Sequence, residues 1–128
     1  MSLTLQQMEN ELGARRLIAR YAHTMDNRQL DECAALFERD AILTVNGQAF
    51  SGRDAIRGWM TALAGSAAGV HMTGNTVLDF DGDSARATSD FMYGRKTAEG
   101  WQFWPPAATR IGCARTATHG CSRGVTSR

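Results

Sequence analysis

Residues 70–96 decide the fold: VHMTGNTVLDF at 70–80, the link Asp81-Gly82-Asp83, and SARATSDFMYGRK at 84–96. Neither arm contains proline, and a short Asp-Gly-Asp link separates them. They predict two long antiparallel strands joined by a tight turn. Alternation places His71, Thr73, Asn75 and Val77 on one face and Val70, Met72 and Leu78 on the other. It likewise gathers Ser89, Phe91 and Tyr93 on one face. Residues 97–100 read as the next turn, and 101–104 as the start of a further strand.

Upstream the period changes. Leu5, Met8, Leu12, Leu17, Ile18, Tyr21, Ala22 and Met25 recur at steps of three and four or their sums, which predicts an amphipathic helix. Asn27 breaks that pattern and suits the cap of a second helix carrying Leu30, Ala34, Leu36 and Phe37. Residues 41–45 suit a strand, Asn46-Gly47 a hairpin turn, and 48–50 its short return arm. Ser51 and Asp54 have the spacing of a capping box that opens a third helix, whose buried stripe is Ile56, Trp59, Met60 and Leu63 and whose end is Gly65. Three helices around one short hairpin, followed by a run of antiparallel strands, predict an α+β fold with the helices on one face of a curved sheet. At 128 residues the chain holds one domain able to bury a core without disulfides or metals.

The end of the sequence has a different character. Pro105-Pro106 is expected to stop a strand, and residues 107–128 contain only Ile111 and Val125 as sizeable aliphatics and no aromatic. Such a segment buries too little apolar area to offset its ordering entropy, so it is expected to pack weakly. The domain is accordingly drawn at 1–104 and an atypical tail at 105–128. Residues 1–104 carry a net charge of −3, and the tail, with Arg110, Arg115, Arg123 and Arg128 and no acid, carries +4. Scattered arginines without interleaved aromatics do not make a nucleic-acid surface.

No apolar run approaches the roughly 18 residues of a membrane span, and the first ten residues lack an export signal. Cys33, Cys113 and Cys121 are odd in number and form no CxxC pair, which fits a reducing, cytoplasmic compartment. Cys113, His119 and Cys121 form one cluster without a second half, a weak basis for a zinc site, and no metal or cofactor is expected.

Three residues suggest chemistry. Asp26 falls at the end of the long first helix, where its charge meets the negative end of the dipole and needs compensation. His71 opens the first long strand. A carboxylate accepting from one imidazole nitrogen fixes the tautomer and raises the basicity of the other, so the pair has the composition of a dyad able to take a proton from carbon. Tyr21 offers a hydroxyl to a substrate oxygen. Each also has an ordinary structural reading: a frayed acid, a strand histidine, a packed tyrosine.

The run Ile18-Ala-Arg-Tyr-Ala-His-Thr-Met-Asp-Asn-Arg-Gln-Leu, then Ala35-Leu-Phe-Glu-Arg-Asp-Ala, Phe50-Ser-Gly-Arg-Asp-Ala-Ile and His71-Met-Thr-Gly-Asn, resembles in order and spacing the SnoaL-like branch of the nuclear transport factor 2-like superfamily. The resemblance covers roughly residues 8–104. It implies a cystatin-like cone: three N-terminal helices packed on a curved antiparallel sheet around an apolar pocket. Within the superfamily the chain is most similar to scytalone dehydratase, hexachlorocyclohexane dehydrochlorinase and bile acid 7α-dehydratase. On that resemblance Asp26 and His71 fall on the catalytic dyad and Tyr21 on a catalytic tyrosine. Leu43, Val45, Ser89, Phe91 and Tyr93, with Met25, would line the cavity. The resemblance further implies a homodimer or homotrimer, a small apolar cyclic substrate, and no nucleic acid, membrane or cofactor. The expected activity is a cofactor-independent lyase of dehydratase or dehydrohalogenase type. An isomerase or polyketide cyclase, or a non-catalytic binding or oligomerisation module, is the alternative.

The family's last hairpin, a Tyr-containing strand, a Gly turn and a Trp-containing strand, is missing after Trp104. Reading GC-rich codons for residues 106–128 one nucleotide out of frame gives AGGDAYRLRADGDAWLFARRDVA, which restores those elements in order. The tail is therefore expected to be a frame-shifted reading of the family C-terminus.

Overall fold

A computed structural model describes residues 2–65, 68–82, 84–113 and 125–127, with side chains described as far as Phe103. Helix α1 (Leu5–Asp26) opens on a capping box in which the Thr4 hydroxyl accepts from the Gln7 N–H and the Gln7 side chain accepts from the Thr4 N–H. Its C-terminus is a Schellman motif: the Gln29 N–H donates to the Thr24 carbonyl (2.8 Å) and the Arg28 N–H to the Met25 carbonyl (3.1 Å). Asn27 thus closes α1 and does not cap α2 (Leu30–Ala35), correcting the sequence reading. Its own N–H still bonds back to His23, and the chain turns at Arg28, leaving Gln29 to precede α2 without a side-chain cap.

Strands β1 (Ile42–Val45) and β2 (Gln48–Ser51) form the expected hairpin, with Asn46 and Gly47 at φ 49° and 81°. Positive φ at both turn residues matches the strands' right-handed twist, which is why Asn-Gly serves here. Helix α3 (Arg53–Ala64) follows. Ser51 does not cap it: Ser51 is still paired with Ile42 at the end of β2, and Gly52, at φ 88°, takes the cap position with no side-chain bond.

Strands β3 (Gly69–Asp81), β4 (Ser84–Thr97), β5 (Gly100–Cys113) and β6 (Val125–Ser127) complete one six-stranded sheet in the order β2-β1-β6-β5-β4-β3. Its pairs are antiparallel except for β1 with β6. Strand β5 runs through Pro105-Pro106, contrary to expectation. The β4–β5 register slips there, Phe91 facing Ala107 and Tyr93 facing Trp104, so the two prolines oppose one residue. A bulge relieves proline of donating to the ladder. Main-chain pairing, which needs no apolar side chain, holds residues 107–113 and 125–127 on the sheet. Arg115, His119, Cys121, Arg123 and Arg128 lie outside the described residues.

A second bulge bends β3 between Gly74 and Val77, with Asn75 at φ 50°. One extra residue reverses the alternation beyond it. Leu78 and Phe80 therefore turn toward Leu17 of α1 and Ala85, while Val77 is 60% exposed. The expected pairing of His71 with Val77 on one face, and of Leu78 on the opposite one, fails for that reason.

The main core lies between the helices and β1. Met25, Cys33, Phe37, Ala41, Leu43, Ile56 and Met60 are buried, with Trp59 and Leu63 packed against them. Burying Leu43, Ile56 and Met60 stabilises by roughly 1.5–3 kcal/mol each. This core fixes the C-terminal end of α1, and α1 in turn crosses β3: Arg15 donates to the Thr76 carbonyl, and Asp26 reaches His71. No described helix is long and apolar enough to cross a membrane.

Candidate active site

The structure brings Asp26 and His71 together. Asp26 Oδ1 lies 2.6 Å from His71 Nδ1, and Oδ2 accepts the His71 backbone N–H at 2.8 Å. Both side chains are largely buried, at 13% exposure for His71 and 17% for Asp26. A carboxylate accepts only, so Nδ1 carries the proton and Nε2 keeps a lone pair. Pairing with His71 compensates an acid at the unfavourable end of the α1 dipole.

Among the described residues three aromatic rings surround the imidazole. Tyr93, opposite His71 in the β3–β4 register, has its centroid 4.7 Å from the histidine's, Phe91 is at 6.2 Å, and Tyr21 stands edge-on at 6.0 Å. Tyr21 also packs edge-on against Phe37. Burial, with Cys33 and Asp26 adding to it, pushes the Tyr21 phenol well above its usual range, so it stays protonated. Among the described residues nothing hydrogen-bonds its hydroxyl.

A shallow hollow of about 20 Å³, partly open to solvent, lies over the dyad. Met25, Leu63 and Ala64 supply its apolar lining, and Asp26, His71 and Tyr93 its polar lining. Gly69 and Arg28 complete it. A Cβ at Gly69 would overlap the Tyr93 phenol, so any larger residue there would have to displace that ring. Of the residues expected to line a cavity, Met25 and Tyr93 do so, and Phe91 touches the site through His71. Leu43 is 1% exposed in the core and Val45 packs against it. Ser89 is 1% exposed and shares a 2.8 Å hydrogen bond with Thr76. These three lie elsewhere.

Arg28 was missed by reading along the sequence. It sits at φ 59°, the Schellman position that glycine usually fills. A side chain there costs about 1 kcal/mol. A cation at a helix C-terminus recovers roughly 0.3–1 kcal/mol. Stability thus gives no net reason to prefer arginine over glycine. Among the described residues Arg28 has no ion-pair partner. The described residues assemble no group of three or more His, Cys, Asp or Glu side chains able to hold a metal.

The chain's residues 6–118 match the family model described as the SnoaL-like domain. Solved structures share the fold. A Mycobacterium tuberculosis protein of unknown function superposes with a TM-score of 0.87 at 22% identity, covering 96% of this chain and 74% of that one. An NTF2-like protein with a cystatin-like fold from Novosphingobium aromaticivorans gives 0.82 at 24% identity, covering 95% and 84%. ActVI-ORFA from Streptomyces coelicolor gives 0.78 at 18% identity, covering 92% and 95%. No curated protein sequence matches significantly. The extent of the family match leads to one conclusion, and the superpositions agree with it in fold: the chain belongs to the SnoaL-like domain family.

Proposed function

We propose that the protein is a cofactor-independent lyase that uses His71 and Asp26 to remove a proton from the carbon skeleton of a small cyclic substrate. The observation that carries this is the double grip of Asp26 on His71 beside the hollow, which leaves Nε2 as the base. Nε2 takes the proton, the C–H electron pair forms the new double bond, and the bond to the leaving group breaks. The proton on Nε2 then passes to a departing hydroxide, so water leaves and the histidine is restored. Tyr21 stands edge-on to His71 but is not among the residues lining the hollow, and its hydroxyl, without a described partner, is the donor proposed for the leaving oxygen. General-base catalysis and positioning suffice for such a step.

Self-association belongs to the same reading. Met72, Trp101 and Phe103 stand exposed on the sheet's outer face, Trp101 and Phe103 stacked on each other. Sedimentation analysis of the wild-type chain decides between monomer and dimer or trimer.

The catalytic test uses 5-nitrobenzisoxazole, a neutral bicyclic probe whose ring opens to a coloured phenolate once a base removes its carbon-bound proton. Turnover above buffer that disappears in His71→Ala supports the reading. No turnover by the wild-type chain, or an equal rate in His71→Ala, sinks it and leaves a binding module.

A further inference from the structure

The geometry points to Arg28 as the specificity-determining residue of the hollow: we infer that it binds the carboxylate of a cyclic substrate whose apolar body rests against Met25, Leu63 and Ala64. The inference rests on the lyase reading for the reaction but stands on separate observations.

Arg28 lines the same hollow as Asp26 and His71, yet it pairs with no described acid. Both oxygens of the Asp26 carboxylate are occupied by His71, so the pocket's own acid is engaged elsewhere. The guanidinium is therefore a cation lining the hollow, and among the described residues nothing engages its donors. Its planar fork matches a carboxylate, which it can hold through two parallel hydrogen bonds. Arg28 is exposed, so a bound carboxylate keeps part of its hydration and the desolvation penalty of a buried ion pair does not arise.

The backbone is the second observation. At the left-handed Schellman position glycine is the unstrained choice, and the dipole's gain does no more than cancel the strain of a side chain. A residue kept in a strained conformation beside a pocket is an indicator of function. The left-handed turn also fixes where the Arg28 stem leaves the backbone, two residues from Asp26. A substrate held by its carboxylate at Arg28 and by its ring at Met25 and Leu63 is oriented before the base meets it.

The test compares binding of 2-naphthoate with that of its neutral methyl ester, by fluorescence at low ionic strength. The wild-type chain is expected to prefer the anion by tenfold or more, the preference shrinking as salt screens the charge. Arg28→Gln and Arg28→Gly are expected to abolish that preference. Arg28→Lys should keep part of it. Because Arg28→Gly relieves the left-handed strain, its Tm should equal or exceed the wild type's, so lost preference is not lost folding. An unchanged anion-to-ester ratio in either Arg28→Gln or Arg28→Gly overturns the inference, as does failure of the wild-type chain to favour the anion. The lyase reading fails on a different measurement, the proton-abstraction rate of His71→Ala.

Discussion

Asp26 holds His71 by both side chain and main chain, so a single carboxylate at the end of α1 fixes the strand's position and the tautomer of its imidazole. An amide can still accept the main-chain N–H, but its other group then donates to Nδ1 and forces the imidazole proton onto Nε2, the atom that should act as base. Asp26→Asn is therefore expected to fold but to open 5-nitrobenzisoxazole about 10²-fold more slowly, within the range lost with general-base function. A rate in Asp26→Asn equal to the wild type's would show that the carboxylate plays no part in the base.

Gly69 and Tyr93 are coupled by space. A methyl group at Gly69 would overlap the Tyr93 phenol, and pairing of Gly69 with Arg95 of β4 ties the backbone on one side. Gly69→Ala should destabilise by about 1–3 kcal/mol, the range for overpacking, or swing Tyr93 away from His71. Combining Gly69→Ala with Tyr93→Ala should recover much of that loss, since the two changes share one cause. Urea midpoints of the two single variants and the double variant check this, and strict additivity contradicts it.

How much of this was legible depends on the kind of signal. The helix stripes, the Asn46-Gly47 hairpin and the two long arms around Gly82 are periodic or local, and they appear where the sequence placed them. The bulges at Asn75 and at Pro105-Pro106 were not legible, because an extra residue in one strand is defined only against its partner. The same limit misplaced the faces of Val77 and Leu78. In the site, Asp26 and His71 stood out as residue types suited to chemistry. Arg28 did not, because its signal is a dihedral angle at a helix end, and arginine beside a helix terminus is commonplace. The capping box of Thr4 and Gln7 is local and carries a Thr-x-x-Gln signature in the sequence.

Tyr21 makes the stability depend on alkaline pH. Its phenol titrates above its ordinary value in the folded chain, chiefly because it is buried, so the native state holds the proton more tightly than the unfolded state. That stabilisation is complete below the unfolded phenol's pKa of about 10. It is lost as pH rises from there toward the raised native value. Tyr21→Phe should flatten this alkaline loss in denaturation curves. At neutral pH it should cost little stability, because no described partner is left unpaired. It should still slow elimination from a hydroxylated substrate. A steep alkaline loss that persists in Tyr21→Phe must have another source.

The frame-shift reading of residues 106–128 makes a prediction about packing. Leu5, Leu12 and Met8 of α1 stand 70%, 68% and 44% exposed, an apolar stripe of the kind a helix normally buries. The present tail offers few large apolar side chains, whereas the out-of-frame string supplies a tyrosine, two leucines, a tryptophan and a phenylalanine. Replacing residues 106–128 with that string should stabilise the chain by about 3 kcal/mol or more, the gain from burying two or three such side chains. It should also raise the urea m-value, which scales with the surface exposed on unfolding. A replaced tail that moves neither quantity contradicts the packing argument. A source gene in which no single-nucleotide shift yields the Trp-Leu-Phe run ends the reading altogether.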